Sequence, residues 1–148
     1  MKAAFAAAGL LLLAGCGAPK NDIASPGSPS ASAENNAPKF GEIIVTNDES
    51  TKPPMTTFTP ETPKIFVLAP FENVKPGSKI MATWIAEKVE GAAPNFKINE
   101  VTFDVTPLVN ELTASMTSPT KGWPVGTYHV DLTLDGKPMG TAKFSVAK

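Results

Sequence analysis

The sequence predicts an all-β fold: an antiparallel β-sandwich of about seven strands over residues 40–148, behind a secretory signal and a disordered tether. Three observations predict it. Apolar and polar residues alternate with period two, in short runs, from Phe40 to the end of the chain. Proline, glycine and Asp-Gly turn signals interrupt those runs about every 8–12 residues, the spacing expected of a sandwich. The first 39 residues lack such alternation; an apolar run gives way to Ala, Ser, Pro, Asn and Gly.

In chain order, residues 1–15 (MKAAFAAAGLLLLAG) have the anatomy of an export signal: Lys2, an apolar run from Ala3 to Leu13, then small residues up to Cys16. The run is about a dozen residues, short of the roughly 20 that span a bilayer. The polar, Pro-rich sequence behind it gives a buried helix nothing to pack against. Residues 17–39 carry one large apolar side chain, Ile23, too little burial to offset the entropy of ordering, so disorder is expected. A flexible tether of that length averages roughly 25–30 Å end to end, with an extended limit near ~80 Å.

The first predicted strand covers about 41–46, with Ile43 and Val45 on one face. Phe58 follows the polar stretch 47–57 and precedes the turn Pro60-Glu61-Thr62-Pro63. A strand at about 64–69 is closed by Pro70, and Lys75-Pro76-Gly77-Ser78 leads into the next at about 79–88. There Ile80, Ala82, Trp84 and Ala86 alternate with Met81, Thr83, Ile85 and Glu87, until Gly91-Ala92-Ala93-Pro94 breaks the run. A strand at about 96–105 sets Val101, Phe103 and Val105 against Thr102 and Asp104. Residues 107–116 fit two templates, a helix through Leu108, Val109, Leu112 and Met116 or a strand near 111–117 with Leu112, Ala114 and Met116 inward. The threonines and serines favour strand.

The last segment predicts a hairpin around Asp135-Gly136, with Tyr128, Val130, Leu132 and Leu134 on one face and a return strand at about 138–146. A plain two-residue turn would pair those residues with Met139, Thr141 and Lys143 and leave Ala142, Phe144 and Val146 on the polar face. Either a three-residue loop with Gly136 left-handed, bringing Tyr128 beside Ala142, or a bulge at Met139-Gly140 restores the parity.

Charge is nearly balanced, 13 cations against 14 acids, and every cation is lysine. Without arginine the chain lacks the side chain best suited to bidentate grip on phosphate or guanine, which argues against nucleic acid as a partner. One cysteine allows no internal disulfide and no thiolate metal site.

Two resemblances extend this reading. Leu13-Ala14-Gly15-Cys16 resembles the lipobox of bacterial lipoproteins, which implies cleavage between Gly15 and Cys16. It further implies a diacylglyceryl group on the Cys16 sulfur and an N-acyl (palmitate-type) chain on its amine. Gly17 rather than Asp after the cysteine implies, in a Gram-negative cell, export to the outer membrane. Val125-Gly126-Thr127-Tyr128-His129-Val130 resembles the Gly-x-Tyr-x-Cys run of immunoglobulin-like folds with Val130 in the cysteine's place, and Trp84 stands where those folds bury a tryptophan. Tyr128 would then be the tyrosine-corner residue. Thr57 to Ile65, Pro76-Gly77-Ser78-Lys79, Gly122-Trp123-Pro124 and Leu134-Asp135-Gly136-Lys137 are similar to an immunoglobulin-like module of uncharacterised bacterial lipoproteins and secreted proteins. Core candidates are therefore Trp84, Phe103, Tyr128 and Phe144.

No catalytic set is visible, so a non-enzyme is expected, with no cofactor and no metal. His129, the single histidine, lies on a polar strand face, where a solvated side chain is expected. Asp131 and Asp135 near Glu100 or Asp104 lack a calcium-loop pattern, and Ser115, Ser118 and Ser145 lack a nucleophile elbow. Trp123 is the ambiguous aromatic: a contact residue for stacking on a ligand, or a plug at the sandwich end, which its size favours. The expected function is a lipid-anchored binding module for an envelope protein or polysaccharide. The alternatives are an accessory subunit of an envelope assembly, or a hydrolase or inhibitor of envelope enzymes.

Overall fold

The computed structural model describes residues 36–148; the signal reading of residues 1–15, Cys16 and nearly all of the tether lie outside the described residues. The turn signals divide the described residues into nine strands: β1 (Lys39–Phe40), β2 (Ile44–Thr46), β3 (Thr57–Phe58), β4 (Lys64–Glu72), β5 (Lys79–Val89), β6 (Phe96–Asp104), β7 (Glu111–Thr117), β8 (Gly126–Leu134) and β9 (Lys137–Val146). No helix occurs among the described residues.

The strands form two sheets packed face to face as an immunoglobulin-like sandwich. In the smaller sheet β1 and β2 run in turn along one edge of β4, and β7 runs along the other. The larger sheet has the order β3-β9-β8-β5-β6. Pairing is antiparallel except for β3, which joins β9 parallel through Thr57↔Ser145 and Phe58↔Val146. The expected β-sandwich is therefore present, with the two short strands β1 and β3 added at its margins. Lys39, expected as the last tether residue, already pairs with Glu72.

Alternation does most of the positioning. Ile80, Ala82, Trp84 and Ala86 of β5 point inward with Tyr128, Val130, Leu132 and Leu134 of β8, and all are buried. Ile65, Val67 and Ala69 of β4 and Leu112 and Ala114 of β7 meet them from the smaller sheet. Phe144 joins the aromatic residues, stacked on Tyr128 at 5.1 Å and edge-on to Trp84 at 6.2 Å and Phe58 at 5.6 Å. The indole N–H of Trp84 is buried with no acceptor, so the site holds this ring for its volume and dispersion contacts.

One local expectation needs correction, the favoured strand at 111–117 is present, and one of the two routes to hairpin parity is the one used. Pro70 does not close its strand: β4 continues to Glu72, with Pro70 paired to Glu111. Its missing N–H falls on the β1 side of the ladder, where its carbonyl accepts from Gly41 N at 2.7 Å. Residues 111–117 are strand, not helix, because seven consecutive residues pair with β4. The β8–β9 turn has two residues, with Asp135 and Gly136 at φ 49° and 80°, a type I′ geometry. A bulge at Met139 then restores parity, so Tyr128 lies opposite Phe144 and Val130 opposite Ala142.

Candidate functional site

The two sheets differ in width, and the consequence falls on β6. β7 is the last strand of the smaller sheet on this side, whereas the larger sheet continues from β5 to β6. The inward side chains of β6 are therefore covered incompletely. Phe96 is 54% exposed and Ile98 38%. Phe103, expected in the core, is half-buried at its margin for the same reason. A register shift between Trp84 and Ile85 leaves Ile98 unpaired with β5 and turns it toward the gap.

At the Phe96 end the gap deepens into a cleft of about 180 Å³ whose lining is wholly apolar. Phe96 and Ile98 of β6, Ala86 and Val89 of β5, Met116 of β7 and Pro119, Trp123, Pro124 and Tyr128 form its walls. A cavity of roughly 150 Å³ lined by aliphatic and aromatic side chains stays dry and accepts benzene. This cleft is thus sized for one large apolar side chain.

The floor of the cleft is rigid. Tyr128 donates its hydroxyl to the Pro124 carbonyl four residues upstream at 2.6 Å, the tyrosine-corner bond. Burial pushes the Tyr128 phenol up to about 12. Trp123 is 3% exposed, packs edge-on against Tyr128 at 6.0 Å, and donates Nε1–H to the Thr62 carbonyl at 2.8 Å. Its ring is buried and its N–H engaged, as expected of a plug at the sandwich end, and it also lines the cleft. Gly126 enables this corner: a Cβ there would lie 2.2 Å from the Lys88 carbonyl oxygen, and its φ of 151° suits only glycine.

The polar candidates lie elsewhere and do not converge. His129 lies on the outer face of the larger sheet and is 14% exposed, more covered than a solvated strand histidine. Its Nδ1 is 3.0 Å from Glu87 Oε1 and its Nε2 3.5 Å from Asp131 Oδ2. Despite that distance, Nδ1 makes no well-aligned hydrogen bond. The Lys143 ammonium, at 3.1 Å, holds the Glu87 carboxyl below its usual range. Asp131 accepts from Thr141 Oγ1 at 2.6 Å, Asp135 from Lys79 N at 2.8 Å, Asp104 from Lys79 Nζ at 2.6 Å and Glu100 from Lys97 at 3.2 Å. The backbone N–H of Lys79 lowers the Asp135 carboxyl. Ser145 bonds to Thr57 and Thr56, Ser118 to the Pro119 carbonyl, and Ser115 lies in β7 away from His129. Among the described residues no group of three His, Cys, Asp or Glu side chains is arranged to hold a metal ion.

The cleft residues Phe96, Ile98 and Met116 did not stand out as a site in the sequence. Their signal there is ordinary alternation; what makes them a surface is that, among the described residues, no strand lies opposite β6.

No protein-family model matches the chain, and no curated protein matches it. Among solved structures it is similar to an immunoglobulin-like protein from Pseudomonas aeruginosa, at 11% identity and a TM-score of 0.56, covering 75% of this chain and 97% of that one. It also aligns with an alkylpurine DNA glycosylase of Pseudomonas fluorescens bound to DNA containing an abasic site analog, at 17% identity and a TM-score of 0.42. That match spans 75% of this chain and 30% of the glycosylase and carries no argument. The first likeness is one of fold. The class that the fold defines is an immunoglobulin-like β-sandwich.

Proposed function

We propose that the protein is a non-enzymatic binding module, held in the cell envelope by lipid on Cys16, that recognises a protein partner through the apolar cleft between β6 and β7. The observation that carries the reading is the exposure of Phe96 over a cleft with no polar lining. Saccharide recognition needs side-chain donors and acceptors for hydroxyls, so an apolar wall favours a protein over the polysaccharide alternative. The Leu13-Ala14-Gly15-Cys16 motif supports the anchor, and Gly17 after it supports, in a Gram-negative cell, the outer membrane.

Two measurements test this. Mass spectrometry of the mature chain is expected to show a diacylglycerol thioether on Cys16, lost in Cys16→Ser; an unmodified wild-type cysteine ends the anchor reading. A photoreactive phenylalanine analogue at position 96 is expected to capture a discrete envelope protein in intact cells. The same analogue at Thr102, on the outer face of β6, serves as the control. Equal capture at both positions, or none at either, ends the cleft reading.

A further inference from the structure

We infer that the free edge of β7 is the docking site for an extended strand of a partner protein, which becomes the next strand of the smaller sheet and covers the inward face of β6. This rests on the binding-module reading and specifies its mode.

Backbone geometry supplies the first argument. Phe71 N–H donates to the Asn110 carbonyl at one end of β7, and Ser118 N–H donates to Pro63 at the other. In an antiparallel ladder those bonds fix the even residues of β7 as the ones bonded to β4. The N–H and C=O groups of Glu111, Thr113, Ser115 and Thr117 therefore point away from β4, and among the described residues no strand pairs with that edge.

The two free edges on this flank differ in protection. β6 carries a bulge at Ile98 and the charges Lys97, Glu100 and Asp104, devices that discourage edge pairing. β7 has no bulge, no proline, no lysine and a single charge, Glu111, at its first position. The edge built to accept a strand is β7.

Two sockets set what the strand must carry. Besides the cleft at Met116, a second cleft of about 160 Å³ opens at the other end of the same gap, between Phe103 and Val105 on one side and Val109 and Leu112 on the other. Leu112 and Met116 are inward residues four apart, about 14 Å along a strand. An incoming strand thus needs apolar residues at positions i and i+4, with a small residue between them opposite Ala114. Charge selects its middle. The acids at the second cleft, Glu111 and Asp104, are already neutralised by Lys52 and Lys79 at 2.6 Å each. The complementary segment is uncharged across its five central residues. A second copy of this domain does not fit. β6 projects beyond β7 by one strand, so another sheet edge meets the charged β6 before it reaches β7.

The test uses the full-length chain, isotopically labelled, and the synthetic peptide Lys-Thr-Leu-Thr-Ala-Thr-Leu-Thr-Lys. Saturable binding is expected, with amide shifts concentrated on residues 111–117. A version N-methylated on the amides that face β7, and the variant Ser115→Pro, are each expected to weaken it by at least about tenfold, since each removes edge hydrogen bonds. The Ser115 N–H does not bond to β4, so that proline leaves the ladder intact; the N-methylated peptide reads the same bonds with the protein unchanged. Absence of saturable binding to the wild type, or equal affinity for the N-methylated peptide, overturns strand addition. Position-96 capture that survives either result leaves the cleft reading standing without it.

Discussion

β5 and β6 are antiparallel neighbours in one sheet, yet their inward faces have different fates. Trp84 of β5 is 1% exposed and sits among aromatic rings, whereas Phe96 of β6, paired with Ala86, is half open to solvent. The difference lies in the opposite sheet, which ends one strand short. Burial on β5 goes into holding the fold together. The face on β6 stays partly open to solvent.

That contrast can be broken or sharpened by substitution. Trp84→Ala is expected to cost about 3–5 kcal/mol, from lost transfer and the cavity left behind, read by chemical denaturation. A cost below about 1 kcal/mol would mean that β5 is no better covered than β6. Tyr128→Phe removes only the corner bond to Pro124 and is expected to cost about 1–2 kcal/mol by the same measurement.

The same side chain gives a pH signature. The folded phenol titrates near 12 and the unfolded one near 10, so the folded state binds its proton more tightly. The contribution of Tyr128 to stability is full below pH 10, declines between 10 and about 12, and disappears from the profile in Tyr128→Phe. Stability at a series of alkaline pH values, with the variant beside the wild type, checks the sign. The smallest effect belongs to β6: Phe96→Ser and Ile98→Ser, both partly buried, are each expected to cost about 1 kcal/mol. A loss as large as that of Trp84→Ala would show that the β6 face belongs to the core after all.

The strand pattern was legible because alternation is local: Ile80-Ala82-Trp84-Ala86 announces its inward face in any all-β context. The hairpin parity was legible too, since Phe144 has to reach the face of Tyr128, although parity alone left two ways to achieve it. Whether a face is covered is a different kind of fact. Phe96 and Ile98 read like any strand residues, and their exposure depends on how many strands the other sheet has, which is a long-range property of pairing. Pro70 misled for a related reason. A proline stops a strand only where its N–H was needed, and that depends on which neighbour lies on which side. Trp123 resolved through a partner 61 residues away, the Thr62 carbonyl.

The bulge at Met139 has an evolutionary corollary. Deleting that one residue would convert the β8–β9 hairpin into a regular two-residue-turn ladder without altering which side chains of the rest of β9 face inward, because Gly140, Ala142, Phe144 and Val146 would keep their partners. A deletion inside 141–145 would instead rotate Val146 out of the core. The hairpin therefore carries a built-in tolerance for length variation at one position, a place where related chains can gain or lose a residue without rewriting the sandwich.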